Sequence, residues 1–273
     1  MATVIWTNGA GDGDYSNSAN WSTSTVPTTS DDVYFTSDYN SDVTTGLNQS
    51  SVTINDFIVD GYTGKLGSKT AYLQIDPAGE VRFNGSGLSY LDLGNANVNI
   101  TIDKTASTSG GSAGLYLLDS NLNTLSLNNG VVGLAYLAGE TSTVGTIKLT
   151  SGTVLFGSGV TASTITMYGG TVQTESSVTT LNIYDGNFTT SGSAAITTLN
   201  GDGGLVNHDA SGTITTCNLR GVTLQLTNTL VSRTITNLNP SDGGTLTYDP
   251  TYITITNRGA VTKPTTESWN NAF

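Results

Sequence analysis

A short pattern recurs between Thr124 and Arg233: Thr, apolar, polar, apolar, then Gly, then apolar, polar and a fourth core-type position. With the first apolar residue as anchor, the anchors are Leu125, Ile147, Ile165, Leu181, Leu199, Cys217 and Ile235, most of them 18 residues apart. Two residues after each anchor stand Leu127, Leu149, Met167, Ile183, Gly201 and Leu219. Seven after stand Val132, Val154, Val172, Phe188, Val206 and Leu224, and nine after, Leu134, Phe156, Thr174, Thr190, His208 and Leu226. A further series, Val144, Ala162, Val178, Ile196 and Ile214, precedes the next anchor by three. Spacing by twos describes strands with one buried face, and the breaks between pairs describe corners. The pattern therefore predicts three short strands per turn, wound once every 18 residues or so.

Two polar features repeat with the anchors. Gly130, Gly152, Gly170, Gly186 and Gly204 all lie five residues after an anchor, where a sharp corner requires the positive φ that Gly adopts at least cost. A Thr precedes each anchor (Thr124, Thr146, Thr164, Thr180, Thr198, Thr216, Thr234), placed to stack from turn to turn. Such self-similarity marks a solenoid whose turns bury their apolar faces only against one another. The expected fold is all-β: a single-chain, three-sided parallel β-helix. Residues 1–50 are expected to form an N-terminal cap segment, 51–258 the solenoid and 259–273 a C-terminal tail. About eleven coils at ~4.8 Å strand spacing predict a body roughly 50 Å long.

Composition agrees and narrows the function. Charged residues make up 11% of the 273, too few Lys, Glu and Arg for a helical protein. The 9 basic and 21 acidic residues leave a net charge of −12 with no basic cluster, which argues against nucleic acid or anionic lipid as partner. No run of 18 apolar residues suggests membrane insertion, and the start, Met1-Ala2-Thr3-Val4-Ile5-Trp6, lacks a basic, then apolar, export leader, so folding in a cytoplasm is expected. The single Cys217 fills an anchor slot and reads as a small core residue.

Before Thr124 the ladder is less regular: Val52, Ile54, Val59; then Leu73, Ile75, Val81, Phe83; then Leu91, Leu93, Val98, Ile100. Gly61 to Lys69 is expected to be a loop insertion and Thr105 to Ala113 an exposed loop. Leu115, Leu117 and Leu122 crowd Leu125, so some of them must belong to another face. After Ile235 the pattern degrades, and Leu246-Thr247-Tyr248 with Tyr252 to Thr256 is expected to complete the last coil. The tail ends on Trp269 and Phe273, read either as docking residues or as part of a tail folded back on its own chain.

Aromatic residues punctuate the first 50: Trp6, Tyr15, Trp21, Tyr34, Phe35 and Tyr39. They suit a cap over the open end of the solenoid, or a partner-docking surface centred on Trp6 and Trp21. Asp12, Asp14 and Asn17 place hard oxygens at close spacing, a candidate Ca²⁺ loop, although Asp-Gly pairs also make ordinary turns. No other cofactor is indicated.

Trp6, the run from Gly11-Asp12-Gly13-Asp14-Tyr15 to Asn20-Trp21, then Val26-Pro27 and Asp31-Asp32-Val33-Tyr34-Phe35 together resemble the opening cap of bacterial and phage β-solenoid surface proteins, over about the first 35 residues. Tyr15 stands where Trp is commoner. The resemblance, with no export leader in the sequence, implies a bacteriophage virion component, either a head decoration protein or a tail-associated fibre, assembled in the host cytoplasm against capsid or tail proteins. Phage solenoids imply a homotrimer. The competing expectation is an adhesin that binds a host-surface glycan through Thr/Asn ladders and Tyr-bearing faces.

Catalysis is the third reading, a polysaccharide-degrading β-helix enzyme. His208-Asp209 are neighbours on a strand and point to opposite faces, so they do not form a base and its orienter. Asp185 and Asp202, at anchor plus four and plus three on adjacent turns, could approach each other by stacking, but Asp-Gly turn chemistry explains both, and paired carboxylates of a glycosidase must face each other across a bound sugar. No catalytic residue is assigned.

Overall fold

The computed structural model describes residues 1–94, 97–106, 112–137, 139–241 and 243–259, and the backbone of 266–269. Parallel strands wind into a β-solenoid of about 11 turns, as the repeat predicts. One 3-10 turn, Ser18–Asn20, is the helical content of the described residues. The chain divides into two compact units, Met1–Val144 and Gly145–Phe273.

In the first unit, strands Thr3–Ile5, Asp32–Thr36, Phe57–Tyr62, Val81–Gly85, Val98–Lys104 and Asn121–Leu127 stack in parallel. Their register piles Val4, Val33, Phe57, Val81, Ile100 and Leu125 into one column, each residue buried. Winding therefore begins at Thr3, and the region expected to be a separate cap over 1–50 already contributes the first strands. What caps the end is the excursion between Ile5 and Asp32. Leu115 and Leu117 lie on the other sheet, opposite Val132 and Leu134, while Leu122 pairs with Val98, which resolves the crowding before Leu125. The segment Gly61 to Lys69 is more than an insertion: Leu66 is fully buried and bridges in parallel to both Val43 and Ser89, a thin third side.

In the second unit the register is nearly constant. Ile165, Leu181, Leu199, Cys217 and Leu238 form the anchor column, and Val154, Val172, Phe188, Val206, Leu224 and Leu246 the column across the core. Thr164, Thr180, Thr198 and Thr216 stack outside, as expected. Each buried aliphatic side chain contributes about 1.5–3 kcal/mol by leaving water. Because neighbours along a column come from successive turns, that stabilisation is local between turns. The corner glycines take φ of 106° at Gly130, 87° at Gly152, 75° at Gly170, 96° at Gly186 and 75° at Gly204, so the predicted left-handed backbone is present at each.

Two expectations are corrected. Each turn carries two hydrogen-bonded strands rather than three: in Val178–Ile183 both Val178 and Leu181 are buried, three residues apart, so one bent strand rounds a corner and serves two faces. The anchor after Cys217 is Leu238, not Ile235, which instead continues the column of Ile196 and Ile214. The bend at 227–232 lengthens that turn, and Thr234-Ile235 imitates the Thr-anchor pair three residues early. Of the two readings of the stretch 259–273, a tail folded back on its own chain agrees with the parallel pairing of Thr266–Trp269 with Thr245–Tyr248. The expected last coil, Thr245–Tyr248 and Ile253–Arg258, is present.

Candidate functional site

The aromatic residues of the N-terminal end form a core, not a surface. Trp6 and Trp21 are 0% and 2% exposed, which corrects their assignment as docking residues. Their rings meet edge to face at 5.2 Å, Tyr15 meets Trp21 at 4.6 Å, and Phe35 meets both tryptophans at 5.9 Å. Such edge-to-face pairs add about 0.5–1.5 kcal/mol to the area they bury. Trp21 Nε1 donates to the Tyr15 carbonyl at 2.7 Å, and Trp6 Nε1 and the Tyr62 hydroxyl both donate to the Ser41 carbonyl. The Tyr15 hydroxyl is buried without a partner, and burial pushes its pKa up. An unsatisfied buried hydroxyl costs about 1–3 kcal/mol. Tyr15→Phe is therefore expected to raise the urea midpoint, and an unchanged or lower midpoint would contradict this account. Of the C-terminal docking candidates, Trp269 lies on a strand whose backbone register pairs it with Tyr248, and Phe273 is outside the described residues.

The loop proposed for Ca²⁺ directs its oxygens to its own donors. Asp12 accepts from the Asp14 amide at 3.0 Å and from the side-chain amides of Asn20 at 2.5 Å and Asn17 at 2.7 Å. These bonds, led by that from Asn20, hold the Asp12 carboxyl below the usual range. Asp14 accepts from the Ser16 N–H, and Asn17 Oδ1 from the Ala19 N–H. Among the described residues no group of three or more His, Cys, Asp and Glu converges as a metal site. The organiser of the loop is Asn20, fully buried, which also donates to the Asp14 carbonyl and accepts from the Ala10 N–H. Sequence reasoning quoted Asn20 only as a motif position; its place directly before Trp21 was the available signal.

The remaining reactive side chains are tied into packing. His208 is fully buried, with Nδ1 2.8 Å from Thr190 Oγ1 and Nε2 2.7 Å from the Gly212 carbonyl. A neutral ring satisfies both, donating from Nε2 and accepting at Nδ1. Burial lowers its pKa, opposed by the Gly212 bond. The unfolded chain, with a His pKa of about 6.5, thus takes up a proton that the native ring refuses. This contribution leaves stability untouched above about pH 6.5 and erodes it as pH falls below. Denaturant midpoints at about pH 7.5 and 5.5 are expected to show a loss that His208→Gln reduces; an equal loss in the variant would exclude His208 as its source.

The carbonyl of His208 accepts from Arg233, itself 4% exposed, whose guanidinium also donates to Thr229 O at 2.7 Å and Val231 O at 3.1 Å. Asp202 is held by Arg220 at 2.6 Å, and Asp185 accepts from the Gly186 N–H at 2.7 Å, so each is turned to a partner of its own rather than to the other. Cys217 is buried in the anchor column, which pushes its thiol up to about 12. It is expected to resist a thiol reagent in the native protein and to react on unfolding; fast native labelling would place it outside the column.

The outward faces of the second unit carry the features left available to a partner. Asn182, Asn200, Asn218 and Asn239, one residue after the anchors, form a one-way amide ladder with Nδ2 to Oδ1 distances of 2.9, 2.8 and 2.9 Å. Tyr168 and Tyr184 stack at 5.3 Å with planes 6° apart while 58% and 49% exposed. The first unit has an equivalent stack, Tyr90 on Tyr116 at 4.8 Å, but Leu88, Val131 and Leu137 pack against it. A groove of about 280 Å³ is lined by Thr161, Ser177, Thr179 and Thr197 hydroxyls with Val160, Ala162 and Val178, and it contains no ionisable side chain.

Compared with known proteins, the chain matches no family model, no curated protein and no solved structure. No helix among the described residues is long and apolar enough to cross a membrane.

Proposed function

We propose that this protein is a noncatalytic structural component of a bacteriophage virion, a head decoration protein or a tail-associated fibre, projecting from capsid or tail proteins as a homotrimer. The observation that carries the reading is the turn-to-turn register of the second unit, where polar groups as well as apolar ones are consumed by the adjacent turns, as in the Asn ladder. A surface built this way offers little to proteases and transmits load between turns through parallel hydrogen bonds. The Trp and Asp-Gly features of the first 35 residues, which resemble caps of phage solenoids, support the particle context. Immunogold labelling of a lysate from the producing host is expected to decorate particles; label confined to the particle-free fraction would overturn the proposal. Light scattering at micromolar concentration is expected to give a trimer, and a monodisperse monomer would remove that part alone.

The bare Tyr168–Tyr184 stack favours one second reading, binding of a host-surface glycan. The stack is an aromatic island among hydroxyls and amides, with Thr166 and Asn182 beside it in the strands, a setting suited to a sugar's apolar ring face and its hydroxyls. A glycan array with wild type and a Tyr168→Ala/Tyr184→Ala variant tests it. Hits lost in the variant support the reading, and no hits for wild type end it.

A further inference from the structure

Four Asn-Gly pairs occur in the chain: Asn8-Gly9, Asn84-Gly85, Asn129-Gly130 and Asn200-Gly201. In each, the glycine nitrogen is a potential nucleophile toward the neighbouring side-chain amide. Three of the asparagines are restrained. Asn8 Oδ1 accepts from the Gly13 N–H at 2.9 Å, Asn84 donates to Asp60 at 3.1 Å from within a paired strand, and Asn200 is held on both sides in the amide ladder. Asn129 differs. It is exposed at a corner, and its Oδ1 lies 2.8 Å from the N–H of Gly130 itself. The carbon under attack is one C=O bond from that oxygen. Gly130 is held in place by its φ of 106° and by Thr105, whose hydroxyl accepts from the next N–H, that of Val131, at 2.8 Å.

We propose that Asn129 is a self-modification site, at which the folded protein converts this residue spontaneously to aspartate and isoaspartate through a cyclic imide. The Gly130 nitrogen gives its proton to solvent base and attacks Asn129 Cγ. The N–Cγ bond forms, the Cγ–Nδ2 bond breaks, and the amide leaves as ammonia after taking up a proton. Water then adds to one of the two imide carbonyls. Opening at the side-chain carbonyl yields aspartate, and opening at the backbone carbonyl yields isoaspartate, whose main chain runs through the former side chain. No oxidation or reduction occurs, and water is the one co-reactant.

The repeat supplies an independent precedent for the aspartate product. Asp185-Gly186 occupies the same place relative to its anchor as Asn129-Gly130, with the same contact of side-chain oxygen to glycine N–H, 2.7 Å. Conversion to aspartate thus produces a corner that the fold already uses. Isoaspartate lengthens the backbone between the strand Asn121–Leu127 and the strand Val131–Leu134 and disturbs their register.

The test is incubation of the native protein at mildly alkaline pH, followed by peptide mapping by mass spectrometry and isoelectric focusing, with urea-unfolded protein in parallel. In the native protein Asn129 is expected to convert on the order of tenfold ahead of Asn8, Asn84 and Asn200, because only local opening frees those three. In the unfolded chain all four are expected to convert at similar rates. The leading acidic species on the focusing gel is expected to vanish in Asn129→Gln. Conversion at Asn129 no faster than at the other three in the native state, or the same acidic species in the variant, would overturn the proposal.

Discussion

Trp21→Ala is expected to destabilise the protein by about 3–5 kcal/mol, the range for removing a large buried aromatic side chain. Trp21 touches Trp6, Tyr15 and Phe35, so its loss leaves a cavity bounded by three rings that do not belong to one strand and do not collapse as one. It also takes away the donor to the Tyr15 carbonyl. The measurement is the urea midpoint, with Tyr39→Ala as control, since Tyr39 is 43% exposed and its truncation is expected to change stability by less than about 0.5 kcal/mol. Equal effects of the two substitutions would mean that the first turns are not closed by this cluster. The result bears on assembly too, because an exposed first strand is an open edge for another chain.

Gly201→Leu carries the second large effect, and its sign is opposite to what the repeat alone suggests. Position 201 lies in register between Ile183 and Leu219, so by pattern an aliphatic residue there would mend the column. The structure shows the space already filled: a Cβ at 201 would overlap the side chain of Val222, which is fully buried. Overpacking of this kind costs about 1–3 kcal/mol. Gly201→Leu alone is expected to lower the thermal midpoint, and Val222→Ala in the same chain to restore most of the loss. A neutral or stabilising single substitution would refute the compensation, and additive losses in the double variant would show that the two sites do not share the volume.

Gly201 and Val222 also show where sequence reading stops. The second half of the chain was legible because a solenoid gives every residue of one role the same neighbours one turn away, so Thr164, Thr180, Thr198 and Thr216 and the corner glycines repeat at nearly constant spacing. Compensation between Gly201 and a residue 21 positions on has no period and leaves no such trace. The first half was harder because its pairing carries register irregularities, between Phe35 and Thr36, between Asp60 and Tyr62 and between Leu122 and Thr124, each of which resets the count. Ile235 misled for a related reason: Thr234-Ile235 satisfies the local rule, and only the length of the preceding bend shows that Leu238 is the true anchor.

The candidate surfaces divide in the same way. That His208 and Cys217 are core residues followed from their slots in the ladder, and both are buried. Trp6 and Trp21 were ambiguous because a large aromatic in a polar stretch serves equally for a cap or for docking, and only the fold of the loop around Asn20 decides between them. The signal for the Tyr168–Tyr184 stack was that each tyrosine stands three residues after its anchor, Ile165 or Leu181, yet its exposure depends on there being no overlying segment like the one that packs Leu137 against the cluster containing Tyr116.

The Asn ladder has one further consequence. Asn200 and Asn218 each give a hydrogen to the amide of the turn before and receive one from the amide of the turn after, so these inner rungs present the same two sockets. A gene segment encoding one such winding can be duplicated or excised in tandem, and the new junction meets a partner of the same kind as the old. Reach then becomes a quantity that inheritance adjusts in whole steps, with the two ends of the molecule left as they were.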